Sequence, residues 1–155
     1  MSFRNGAIGI GLTLVLAYAL GSGYWVSSGD TWYQSLHAPS WQPPNWVFGV
    51  IWPYNFIALG IAVFIVGAKA THKLSIVWLA SLAISITLAL AWSYYFYVPH
   101  RLSLAAIFLV LAALFTLPVL IIAWRSSWKL GLALLPYQLW VAIASTLALG
   151  YSRFN

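Results

Sequence analysis

Apolar residues in this chain gather into five long, charge-free runs: Gly6–Val26, Trp46–Ala68, Leu74–Val98, Leu102–Trp124 and Leu130–Gly150, each 21 to 25 residues long. A helix rises 1.5 Å per residue and needs about 20 residues to cross ~30 Å of hydrocarbon, so every run is long enough to span. Strands of a membrane barrel would instead show ~10-residue alternating segments, and these are absent. The pattern predicts an all-α integral membrane protein. Its five-transmembrane-helix bundle forms a single domain over residues 1–155, with a long ordered loop, 27–45, between the first two spans.

Composition agrees. Of 155 residues, 63% are apolar and 5% charged, and the mean hydropathy is +0.92. A soluble domain carries about 25% charged residues, and disordered chains are rich in charge and poor in aromatics. There is no cysteine, which removes disulfides and thiolate chemistry. The first run resembles a secretory leader, with Arg4 ahead of it and Ala17-Tyr18-Ala19 inside it. Because the run continues through Val26, it reads as a retained first helix.

The net charge of +6 is spread singly and in pairs at the ends of the runs, which is a topology signal and not a nucleic-acid-binding face. Five crossings place Arg4, Lys69, Lys73, Arg125 and Lys129 on the side of the N-terminus, against Arg101 and Arg153 on the other. The positive-inside rule then puts the N-terminus in the cytoplasm. Small residues recur every fourth position at Gly9, Thr13, Ala17 and Gly21, and again at Ser81, Ser85, Ala89 and Ser93. Such stripes let helix backbones approach closely, within the bundle or, as the alternative, at a dimer face. Pro53, Pro118 and Pro136 lie within runs, where each removes a backbone donor.

The 27–45 connection contains Pro39, Pro43 and Pro44 with Trp32 and Trp41. Proline lowers the entropy lost on ordering and indole rings supply area to bury, so the segment reads as an ordered cover. Asp30 is placed to cap a short helical turn. Counting 1.5 Å per residue from the loop side, Trp52 and Trp92 lie roughly 9 Å deep and Trp140 roughly 15 Å. Trp25, Trp46, Trp124 and Trp128 fit the aromatic belt at the headgroups, but these three are too deep for it. Each carries an N–H that wants a partner. Either they face one cavity under the loop, or they pack against neighbouring helices.

At these residues the chain resembles the TspO/MBR family. The matches are Trp32-Tyr33-x-x-Leu36-x-x-Pro39-x-Trp41-x-Pro43-Pro44-x-Trp46-x-Phe48, then Trp52; Ala91-Trp92-Ser93 with Phe96; Pro136-Tyr137-x-x-Trp140-x-x-x-Ala144; and Asn155. The resemblance covers essentially the whole chain. It implies a five-helix bundle, often homodimeric, with a pocket beneath the first loop. It further implies binding of porphyrins and haem-like tetrapyrroles as ligands and not as cofactors, sterols in some members, and synthetic benzodiazepine or isoquinoline compounds. Carried over by position, Tyr33, Pro43, Trp52, Phe56, Trp92, Trp140 and Ala144 would line that pocket. The chain departs from the family at three positions: His37 replaces a common Lys, and Ala89 and Ala148 replace common Asn. The two alanines remove amide donors. Leu147-x-x-x-Tyr151-x-Arg153 satisfies a permissive sterol pattern, although an interfacial Tyr and Arg also explain it.

Catalytic chemistry is sparse. No run contains Asp, Glu, Lys, Arg or His, which disfavours proton relays and ion-coupled carriers. His37, His72 and His100 are expected in three separate loops, so no metal site is predicted, and no catalytic residue is assigned. Three classes follow: a membrane receptor or sensor for tetrapyrroles or other flat apolar ligands, a scaffold for porphyrin photo-oxidation, and a passive transporter of tetrapyrrole or lipid.

Overall fold

The computed structural model describes residues 3–27 and 30–155; residues 1 and 2, and residues 28 and 29 of the 27–45 loop, lie outside the description. In chain order the elements are α1 (Phe3–Ser22), the short α2 (Thr31–Ser35), α3 (Asn45–Lys69), α4 (His72–Tyr97), α5 (Leu102–Ser126) and α6 (Trp128–Phe154). The five long helices contain 20 to 27 residues, about 30–40 Å each. All five are long and apolar enough to cross a membrane, and the chain is an integral multi-pass membrane protein.

Helix ends differ from the ends of the apolar runs where local hydrogen bonds decide. α1 stops at Ser22, four residues before the run does, because the chain turns: the Tyr24 amide donates to Gly21 O (3.1 Å) and the Val26 amide to Gly23 O (3.3 Å). α4 begins at His72, where the Thr71 hydroxyl accepts from the Leu74 amide (3.4 Å). His72 therefore lies on a helix and not in a loop, its ring stacked on Phe3 at 3.6 Å. α6 continues past the apolar run to Phe154 and so carries Tyr151 and Arg153 on the helix.

The helices close a ring in the order α1, α3, α6, α5, α4, with α3 also touching α5 across it. Many large apolar side chains point outward, among them Leu20 (79% exposed) and Ile57 (64%), while the interior combines large side chains such as Trp78, Leu59 and Leu82 with small and polar residues such as Ala62, Ala112, Ser85 and Thr116. This is the pattern expected where lipid replaces water outside and close packing replaces the hydrophobic drive inside. α5 is bonded to both of its neighbours, α4 and α6. Its carbonyls accept from the Trp78 indole at Val119 (3.1 Å), from Ser85 at Ala112 (3.1 Å), from Gln138 at Ala113 (3.2 Å) and from Ser145 at Leu109 (3.1 Å).

The two small-residue stripes separate. Ser81, Ser85, Ala89 and Ser93 are all buried in the bundle, whereas Gly9, Thr13 and Ala17 of α1 are exposed. Three of the four positions of the first stripe thus face outward, and only Gly21, against Leu90, packs within the bundle. α1 packs through Ala7, Gly11, Val15 and Tyr18 instead. Gly11 allows the close approach, since a Cβ there would lie 2.8 Å from a Val63 methyl.

Candidate functional site: an aromatic cavity beneath the first loop

The 30–44 segment is built to lie across the end of the bundle. The Asp30 carboxylate accepts from the Tyr33 amide (2.7 Å) and so caps α2. That bond, then one from the Ser27 side chain, hold the Asp30 carboxyl below its ordinary range, with a smaller contribution from His100 and against a small desolvation effect. Trp32 of α2 stacks face to face on His100 at 3.6 Å, and His100 adopts a left-handed φ of 56°.

Most remaining attachments of the segment run to one face of α6. Trp41 Nε1 donates to Thr146 Oγ1 (3.3 Å), and the Tyr151 hydroxyl donates to Gln42 and lies 3.3 Å from the Tyr33 hydroxyl. Asn155 accepts from the His37 amide (2.8 Å) and donates to the His37 carbonyl (3.3 Å), imitating a short strand pairing. Pro39 is buried against Gly150, where a Cβ would come within 2.6 Å of its ring.

Under this cover lies a cavity of about 480 Å³. Its walls are Trp52 and Phe48 of α3, Trp92 and Phe96 of α4, and Trp140 of α6; Tyr33, Gln42 and Tyr151 form the polar roof. Trp140 meets Phe48 edge to face at 5.1 Å, and Trp92 packs against Phe96 at 6.0 Å. The Trp92 and Trp140 indole nitrogens are buried and have no hydrogen-bond partner. An unmatched buried donor costs about 1–3 kcal/mol, and since neither nitrogen is open to the cavity, it is the ring faces of these residues that line it. Among the described residues the lining includes no Asp, Glu, Lys, Arg or His. Among the described residues no three His, Cys, Asp or Glu side chains come together as metal ligands.

The structure brings Tyr33, Trp52, Trp92, Trp140 and Ala144 to one cavity. Pro43 and Phe56 do not line it. Phe56 lies one layer away, stacked with Trp52 at 5.7 Å and edge-on to Tyr18 at 5.4 Å, because it is one turn deeper along α3. Of the sterol pattern, Leu147 and Tyr151 line the cavity and Arg153 is exposed, so the three share no surface. Among the departures, Ala148 lines the cavity and Ala89 is buried in the core.

Sequence reasoning missed several lining residues. Phe48 and Phe96 stand four residues from Trp52 and Trp92, and Leu147, Ala148 and Tyr151 continue the stripe of Trp140 and Ala144. That i, i+4 spacing was available as a signal. Ala19, Ser22 and Gly23 of the α1 end carry no such signal.

Residues 10–153 match the TspO/MBR family. The chain is 34% identical over 131 residues to Protein CrtK of Rhodobacter capsulatus, covering 84% of this chain and 82% of that protein. It is 32% identical over 150 residues to the Tryptophan-rich protein TspO of Chlorobaculum tepidum, covering 96% and 94%. To the human Translocator protein it is 30% identical over 145 residues, covering 91% and 85%.

Proposed function

The chain belongs to the TspO/MBR family, and from that premise of a membrane sensor or receptor-type protein we propose that it binds flat, largely apolar ligands of the tetrapyrrole class in the cavity beneath its first loop. The observation that carries this reading is the aromatic cavity of about 480 Å³, walled by Trp52, Trp92 and Trp140 and roofed by Tyr33, Gln42 and Tyr151. Ligand sites are commonly of ~300–1,000 Å³ and apolar, with a few placed polar groups. A tetrapyrrole offers wide faces for Trp52, Trp92 and Trp140 and ring nitrogens or carbonyls as acceptors. Sterols and the synthetic ligands named for the family compete for the same apolar volume.

Two subsidiary proposals accompany it. The N-terminus is cytoplasmic, supported by the five-to-two distribution of basic residues. The protein is a homodimer, supported by the outward stripe of Gly9, Thr13 and Ala17.

The test is a spectral titration with protoporphyrin IX in detergent. Trp140→Ala should weaken binding by about 1–3 kcal/mol through lost burial and stacking, while Trp128→Ala, at an exposed helix start, should leave it unchanged. Equal affinities for the two variants would overturn the assignment. Illumination of the complex distinguishes a scaffold for photo-oxidation, and flux across sealed vesicles distinguishes a passive carrier.

A further inference from the structure

The exposed members of the cavity lining are confined to one corner. Gly23, Val26 and Asn45 are exposed, whereas Phe96, Trp140, Leu147 and Tyr151 are buried. The exposed three belong to the turn after α1 and to the first residue of α3. On the α6 side the roof is held down by Trp41, Gln42, Asn155 and the seated Pro39. A cavity meets its surroundings where its lining is exposed, so its mouth lies between the end of α1 and the start of α3.

What surrounds that mouth is apolar and aromatic. Leu20 and Tyr24 are each 79% exposed, Trp46 is 70% exposed and Val50 62%. Exposed Tyr and Trp at helix ends mark the headgroup level of a bilayer. We propose that ligands reach the cavity sideways, from the lipid interface, through this mouth, and that Gly23 is the residue whose missing side chain keeps it open. A Cβ at Gly23 meets nothing within 4 Å, whereas one at Gly21 would lie 3.0 Å from a Leu90 methyl. Space beside Gly23 is therefore free, and a group placed there obstructs passage without disturbing helix packing. The ligand class follows from the same surfaces: a molecule that partitions into the bilayer, whose apolar body enters the uncharged cavity while any carboxylates stay at headgroup level beside Asn45. This inference rests on the reading of the cavity as a ligand site.

The chain contains no cysteine, so Gly23→Cys can be folded and purified first and modified afterwards, which separates obstruction from misfolding. Gly60→Cys, at a partly exposed glycine of α3 with equally free space and outside the lining, is the control. Each is reacted with a small methylthiolating reagent or with a bulky maleimide, in nanodiscs, and protoporphyrin IX binding is followed by stopped flow. The bulky adduct at position 23 should slow association and dissociation each by about tenfold or more, with their ratio within about twofold of the methylthiolated protein. The adduct at position 60 should change neither rate. Asn155→Ala, which frees the loop from α6, should leave association unchanged. The proposal is overturned if the bulky adduct at 23 alters no rate, if it speeds dissociation without slowing association, or if Asn155→Ala accelerates association. Should the unmodified protein bind no protoporphyrin, the tetrapyrrole reading fails, and the mouth is decided separately with the membrane-soluble quencher TEMPO. Shielding of tryptophan emission by the adduct at 23 and not at 60 supports it, and no shielding refutes it.

Discussion

Replacing Gly150 by alanine should loosen the first loop while leaving the bundle intact. A Cβ at this position would stand 2.6 Å from Pro39 Cγ, 3.2 Å from Pro39 Cβ and 3.1 Å from Trp41 Cζ2. The Pro39 ring is part of the backbone, and Trp41 is tied to Thr146 at 3.3 Å, so neither can rotate aside and the loop itself must lift. Overpacking of this kind costs about 1–3 kcal/mol. Glycine-to-alanine within a helix returns about 1 kcal/mol, but that gain is present whether the loop is seated or lifted. It cancels in the local equilibrium and counts only in global unfolding. Amide exchange in residues 30–44 should therefore quicken by about 5- to 150-fold, following 1.4 kcal/mol per tenfold, while α4 and α5 keep wild-type protection. Hydrogen exchange read by mass spectrometry on the purified protein provides the measurement. Exchange of the loop within twofold of wild type would show that Pro39 does not seat on Gly150.

Other outcomes test separate parts of the structure. Asn55 is fully buried in α3 with neither amide atom paired, so Asn55→Leu should raise stability by about 1–3 kcal/mol; a lower melting temperature in detergent would point to a partner for the amide. The Asp30 carboxyl is held below its ordinary 3.8 by the cap bond. Its contribution is therefore complete above that pH and lost as pH falls through the lowered value. Protection of the α2 amides, corrected for intrinsic exchange, should fall in acid below about pH 3.8 for wild type and stay flat for Asp30→Ala; parallel profiles would remove the cap from the account. Cysteines introduced singly at Ser126 and Ser35 should be labelled from opposite faces of the membrane, Ser126 from the cytoplasm, and labelling from one face would refute the count of spans. The same experiment at Ser2 reports on a position outside the described residues.

Five spans, their order and the bundle class were legible in the linear chain. Membrane insertion is decided by hydropathy over ~20 consecutive residues, which is a local quantity. The Asp30 cap was legible for the same reason, since donor and acceptor stand three residues apart. Whether the deep tryptophans faced a cavity or packed against neighbouring helices was not, because periodicity gives a direction around a helix axis without saying what lies there. The ring order of the helices answered it, placing Trp52 and Trp140 on adjacent helices and Trp92 across the space between. The same order turned the α1 stripe outward, moved Phe56 one layer off the cavity and divided Leu147 and Tyr151 from Arg153. The mouth is furthest from the sequence. The proposed mouth lies beside Gly23, whose missing side chain leaves no pattern to read, and it depends on a loop bonded to α6 more than 100 positions away. Long-range hydrogen bonds and empty space are properties of the assembled bundle, and only the tertiary structure decides them.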